Sequence, residues 1–216
     1  MENKELSRII GNEELRIENE ESTCATGSLS SDSSSSTFHH SFKEKFRFCP
    51  VCGSRAFETN SVKSKKCGDC GFEYFMNPSS ANVAIIRNEK GELLVVRRKN
   101  DPAKGTLDLP GGFADAGENA EEGVIREVGE ETGLQVTSVK YLFSHENLYL
   151  YSGLQIPTLD LFFQCEVEND ATVHASDDAE DCQWVSPDDL RVEDFGLASI
   201  REGLRTYLSG LLKISK

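Results

Sequence analysis

The sequence predicts an α/β fold: an α/β/α sandwich on a mixed sheet, preceded by a small cysteine ribbon and a polar arm. Three observations carry this. Short β-branched runs interleave with helical stretches from about residue 79 onward, two Cys-x2-Cys pairs stand immediately before them, and Ser28 to Ser36 is nearly all serine. Strands that alternate with two or three helices bury both faces of a sheet. A chain of 216 residues can hold one such core plus a small module.

Residues 1–42 form the arm, acidic and serine-rich, and are expected to be disordered. Within it Leu6, Ile9, Ile10, Leu15 and Ile17 could support only one weak helix. Residues 43–78 are assigned to the ribbon. Here Cys49-Pro-Val-Cys52-Gly and Cys67-Gly-Asp-Cys70-Gly are separated by residues 53–66. Paired knuckles of this kind let four thiolates close tetrahedrally on one Zn2+, which leaves no open position for catalysis and makes the site structural. The remaining cysteines, Cys24, Cys165 and Cys182, are scattered, so disulfides are not expected, and Cys165 in its apolar run reads as a buried thiol. The ribbon also carries Lys43, Lys45, Arg47, Arg55, Lys63, Lys65 and Lys66, a basic set in an acidic chain that keeps RNA open as a substrate.

The main domain spans residues 79–216. Asn82 to Arg87 and Leu93 to Arg98 read as strands around the turn at Asn88 to Gly91, followed by a polar loop over 99–108. Beyond the central helix, Val136 to Phe143, Leu148 to Tyr151 and Thr158 to Val167 read as strands, with Ser152-Gly153 as a turn. Ser186 before Pro187 predicts a helix start, and Leu197 to Leu212 predicts a final amphipathic helix.

Asn119 to Thr132 lacks proline, opens with acidic residues and stops at Gly133, so it is predicted to be helical. Ala120, Val124 and Val128 recur at i, i+4 and i+8 and form its buried stripe. At about 100° per residue, Glu127 and Glu131 point within roughly 40° of each other, with Glu130 about 60° away from Glu127 on the other side. The last turn of a helix disfavours negative charge. Three carboxylates there call for a compensating cation, and Mg2+ or Mn2+ held by carboxylate oxygens and shared with phosphate fits.

Gly112, Glu118, Arg126, Glu127, Val128, Glu130, Glu131, Gly133 and Leu134 match G-x5-E-x7-R-E-U-x-E-E-x-G-U (U apolar), with Leu109-Pro110-Gly111 leading in. The segment resembles the signature of the Nudix hydrolases. That resemblance covers about residues 80–213 and implies the same sandwich and metal-dependent cleavage of nucleoside diphosphate derivatives. It implies Mg2+ or Mn2+ on Glu127, Glu130, Glu131 and Glu180, with Glu127, Glu130 and Glu131 catalytic. Glu130, Glu131 or Glu146, the last placed in a loop, could serve as general base. Arg126 is expected to pair with Glu118 or a box carboxylate.

A zinc ribbon before such a domain resembles the NADH pyrophosphatase group, some of whose members remove NAD caps from RNA. Glu180 four residues before Trp184, and Ala198-Ser199-Ile200 at the start of the last helix, are further likenesses. The SQPWPFPxS segment of that group is missing from His145 to Phe163. The expected substrate is therefore a small nucleotide of the NADH, ADP-ribose or nucleotide-sugar kind. The alternatives are a non-catalytic sensor of ADP-ribose-like ligands and a decapping enzyme acting on NAD-capped RNA.

Arg97, Arg98, Lys99 and Lys104 read equally as phosphate neutralisers or as a solvated loop, and His145 as a surface residue. Tyr149, Tyr151, Phe162 and Phe163 read mostly as core or sheet surface, with one able to stack on a base. Other substrate-binding residues are left unassigned. A net charge of −14 argues against broad binding to a nucleic-acid backbone, so RNA enters only as a capped substrate. No run of roughly 20 apolar residues is present and MENKELSRII has no apolar stretch, so no membrane partner, no secretion and a cytoplasmic location are expected, with a homodimer left open.

Overall fold

The computed structural model describes residues 42, 44–168 and 179–214, with the side chains of 179, 180 and 211–214 outside that description. All of them belong to one compact unit. The arm, its weak helix, Cys24 and Lys43 lie outside the described residues, and no described helix is long and apolar enough to cross a membrane.

Strands β1 (Phe57–Thr59), β2 (Ser64–Cys67) and β3 (Glu73–Phe75) pair antiparallel in that order and form the ribbon. Two small apolar clusters support it. Cys49, Phe57 and Cys67 are buried inside, while Phe42 and Met76 are buried beneath Phe46, Tyr74, Leu148 and Leu154. The sequence pattern places Phe42 in the arm. It is instead fully buried, because its ring packs against Phe46 at 5.0 Å and Tyr74 at 6.0 Å. Lys65, counted among the basic residues, is buried as well, with its ammonium bonded to the Phe46 carbonyl and held over the Phe57 ring at 5.1 Å.

The main domain has β4 (Ser79–Ile86), β5 (Leu93–Arg98), β6 (Leu107–Asp108), β7 (Gly111–Phe113), β8 (Val136–Tyr151), β9 (Leu154–Val167) and β10 (Ala179–Val185). One sheet runs β7-β4-β9-β8 and the other β10-β5-β6. The β4–β9 pair is parallel and the others antiparallel, which makes the sheet system mixed as expected. Helices α1 (Ala120–Thr132) and α2 (Ala198–Ile214) cover its two faces.

Alternation along the strands sorts the core. Val83, Ile85, Leu93, Val95 and Phe162 face Ile200 and Leu204 of α2, whereas Ala84, Ile86, Leu94, Phe163 and Cys165 face Val124 and Val128 of α1. The Cys165 thiol is correspondingly pushed up to about 12 by burial.

Two local expectations fail. β8 is one strand of 16 residues rather than two, because pairing with β9 continues through His145↔Asp160, Glu146↔Leu159 and Asn147↔Thr158. Glu146 is therefore on a strand, not in a loop. No helix starts at Ser186. Leu190 bonds back to the Ser186 carbonyl at 3.0 Å in a single turn, and the chain continues into a short 3-10 helix, Val192–Asp194.

Candidate active site

The site is built where β7 meets α1. Asn119 caps α1 in a closed box: its Oδ1 accepts the Glu122 N–H at 2.9 Å and Glu122 Oε2 accepts the Asn119 N–H at 2.9 Å. Such a cap is worth about 1 kcal/mol. At the other end Gly133 adopts φ 71° and its N–H bonds to the Gly129 carbonyl. No basic residue stands in the last turn, so the acidic end of the dipole and the box carboxylates coincide.

Gly111 has φ 150°, and a Cβ there would run into the Asn82 carbonyl oxygen. Its N–H donates to Glu131 Oε2 at 2.9 Å. A Cβ on Gly112 would lie 2.5–2.7 Å from the atoms of the Glu127 carboxyl. The two glycines thus let the backbone close onto both carboxylates. Glu127 and Glu131 line a cavity of about 340 Å³, and Glu131 is only 8% exposed. Burial raises the Glu127 carboxyl above its usual range, opposed by the Arg126 guanidinium.

Arg126 ties the loop to the helix. It bonds both oxygens of Glu118, at 3.0 and 2.7 Å, the Phe113 carbonyl at 3.1 Å, Glu127 at 2.9 Å and Glu130 at 3.0 Å. Its hydrogen bonds, then the Asp115 N–H, hold the Glu118 carboxyl down to about 2.

The three helix carboxylates do not converge equally. The Glu130 side chain is 47% exposed and turned to Arg126, and it does not line the cavity. Glu146 is exposed, and alternation along β8 puts it on the sheet face opposite Asn147 and Tyr149, which do line it. Glu180 falls in β10, where the register with β5 shifts between Ala179 and Asp181; its side chain lies outside the described residues.

Among the charges before the box, Arg97, Arg98 and Lys99 line the cavity and Lys104 does not. Arg98 is committed to Asp108 and to the Tyr149 hydroxyl at 3.2 Å. Leu197, just before α2, and Ile200 in its first turn also line it. His145 does not. It is half-buried, edge-on to Phe143 and Phe162, with Nε2 3.3 Å from Thr206 Oγ1. Asp108, Asn147, Thr158 and Asp160, which carry no functional signal in the sequence, form the far wall of the cavity, with Tyr149 beside them.

The chemistry of Glu127 and Glu131 fits a hard divalent cation: two largely buried carboxylates on one cavity wall, drawn together by glycine backbone. In the ribbon, all four cysteine sulfurs lie within 4.8 Å of one another, and the Cys49–Cys70 and Cys52–Cys67 pairs are both 3.6 Å apart. Four thiolates about 2.3 Å from a tetrahedral zinc stand roughly 3.8 Å apart, so the quartet fits. Each knuckle ends in a glycine at positive φ, Gly53 at 72° and Gly71 at 76°, whose N–H bonds back to the first cysteine's carbonyl. The Cys70 N–H, first among several donors, brings the Cys67 thiol down to about 6. Among the described residues these thiols are the one group of three or more such ligands that closes to metal-binding distance.

The site is thus an acidic helix end held against a glycine turn in a mixed α/β/α sandwich. The NUDIX domain pattern matches residues 76–206, and the chain belongs to the Nudix family. It is 30% identical over 144 residues to the NAD-capped RNA hydrolase NudC of Pseudomonas aeruginosa, covering 67% of this chain and 49% of that one. Over 71 residues, 33% of this chain and 41% of the relative, it is 44% identical to the ADP-ribose pyrophosphatase of Methanocaldococcus jannaschii. The chain spans about half the length of the curated relatives it matches first. A NUDIX hydrolase from Nitrosomonas europaea has the same fold, with a TM-score of 0.60 at 19% identity over 76% of this chain and 90% of that one.

Proposed function

We propose that this chain hydrolyses the diphosphate linkage of a nucleoside diphosphate derivative in the presence of Mg2+ or Mn2+, with NADH or NAD, ADP-ribose and nucleotide sugars as the substrate class. The observation that carries this is the pair Glu127 and Glu131 side by side in the wall of the cavity, against the backbone of Gly111 and Gly112. These carboxylates hold the cation, with Glu180 of β10 as a further ligand. Glu130 is left with a supporting role through Arg126. A bound divalent ion there neutralises the diphosphate and lowers the pKa of a water.

Hydrolysis is the in-line addition of water at one phosphorus, breaking its bond to the bridging oxygen and leaving two phosphomonoesters. The water's proton needs an acceptor, and among Glu130, Glu131 and Glu146 only Glu131 lines the cavity. Arg126 holds Glu118 and Glu127 in register so that the box loop keeps its shape in the absence of substrate. The ribbon, residues 43–78, folds around one Zn2+ on Cys49, Cys52, Cys67 and Cys70 and buttresses the β8–β9 hairpin through Leu148 and Leu154.

The NudC relatives favour a second reading, removal of an NAD cap from RNA. The same bond is cleaved in both cases. NADH, NAD, ADP-ribose, nucleotide sugars and a short NAD-capped RNA, each assayed with Mg2+ or Mn2+ for mononucleotide release, test the two together. Tight ADP-ribose binding without hydrolysis of any of them would place the chain among sensors instead.

A further inference from the structure

The β8–β9 hairpin occupies the stretch where SQPWPFPxS is absent, and it forms the cavity wall away from Glu127 and Glu131. Asn147 and Tyr149 come from β8, Thr158 and Asp160 from β9, and Asp108 from the end of β6. Asp160 interrupts the apolar run Leu159-Asp160-Leu161-Phe162-Phe163 and is only 4% exposed. A carboxylate buried to this extent is costly unless its oxygens are satisfied.

The two aspartates differ in how they are compensated. Asp108 has a cation, Arg98, and the Leu109 N–H at 2.9 Å. Asp160 has two neutral donors: the Thr158 hydroxyl on Oδ1 at 2.6 Å and the Asn147 amide on Oδ2 at 3.2 Å. An ionised carboxylate offers about four acceptor positions. Its two donors hold the group in one orientation without exhausting it, on a wall of the cavity. Phe113 and Tyr149 meet edge-to-face at 5.3 Å on the same cavity and supply an apolar surface beside it. Another anion is repelled from such a wall, whereas a neutral N–H or O–H group is attracted.

We propose that Asp160, fixed by Thr158 and Asn147, is a specificity-determining residue that accepts a hydrogen bond from a neutral donor on the nucleoside half of the substrate. The donor chemistry has two sources, an exocyclic base amino group or a ribose hydroxyl. The inference rests on the diphosphatase reading, since it places a nucleoside in this cavity.

Calorimetric titration of the full chain with AMP, IMP and 2′-deoxy-AMP separates the sources. IMP replaces the amino group with a carbonyl, and 2′-deoxy-AMP removes one hydroxyl. The wild type is expected to bind one of these two at least tenfold more weakly than AMP, and Asp160→Asn to reduce that gap to within threefold. Thr158→Val keeps the carboxylate but frees its orientation, is expected to narrow the gap as well, and replaces Asp160→Asn if that variant fails to fold. Equal binding of all three by the wild type, no binding of AMP, or an undiminished gap in the variants would overturn the inference. A chain that hydrolyses diphosphates yet does not discriminate keeps its reaction and loses the role given to Asp160. One that discriminates but hydrolyses nothing keeps that role and loses the reaction.

Discussion

Gly112→Ala tests the site with a single methyl group. A Cβ at this position would stand 2.5 Å from Glu127 Oε1, 2.6 Å from its Cδ and 2.7 Å from Oε2, where ordinary van der Waals contact begins near 3.4 Å. The carboxylate must therefore retreat by about 1 Å. It cannot swing far, because Arg126 holds Oε1 at 2.9 Å while being tied to Glu118, Glu130 and the Phe113 carbonyl. A misplacement of about 1 Å in catalytic geometry costs on the order of 100-fold, equivalent to about 2.7 kcal/mol of barrier. Stability should change little, because the obstructing group is the end of a side chain. Gly111→Ala makes the contrast: its φ of 150° and the backbone carbonyl of Asn82 leave nothing that can give way, so about 1–3 kcal/mol of stability is expected to go as well. Steady-state kcat/KM with Mg2+ and thermal unfolding of both variants provide the readouts. Gly112→Ala turnover within threefold of wild type, or a loss of stability equal to that of Gly111→Ala, would refute this account of why glycine stands there.

Glu127→Gln and Glu131→Gln should each lower kcat by at least two to three orders of magnitude with the fold retained, and metal-free Glu127→Gln should melt higher than wild type because a desolvated charge is removed; near wild-type turnover in both would remove the metal assignment. Protein purified without chelator should contain one zinc per chain by elemental analysis, and Cys67→Ser should increase hydrogen exchange over residues 44–76 far more than around α1, since small ribbons draw their folding energy from the metal. The Glu118–Arg126 pair sets a pH window. With its folded pKa depressed to about 2, Glu118 contributes stability that is complete above its unfolded value near 4.3 and is lost as pH falls towards 2. Denaturation midpoints should fall less steeply across that range for Glu118→Gln than for wild type, and parallel profiles would contradict the pairing.

What the sequence disclosed follows from how local each signal is. The α1 helix was legible because its stripe, its end at Gly133 and its carboxylates all lie within one stretch, and the cysteine knuckles because their spacing is local. β8 read as two strands because His145-Glu146-Asn147 is polar, yet β9 pairs across it without a break. Ser186-Pro187 carries a sound start signal, but only a single turn and the short 3-10 helix Val192–Asp194 follow before Phe195 bridges to Leu107. The far wall was invisible for another reason. Asn147, Thr158 and Asp160 meet through the β8–β9 register, and Asp108 joins them from β6 of the other sheet, so no local pattern links the four, and the one available hint is a solitary aspartate inside an apolar strand.

The most direct measurement is mononucleotide release from ADP-ribose and NADH by the full chain, with Mg2+ and with chelator, beside Glu131→Gln. The account predicts metal-dependent release from at least one substrate and its loss in the variant. Release that persists in chelator or in Glu131→Gln, or no release from either substrate with metal present, would contradict it.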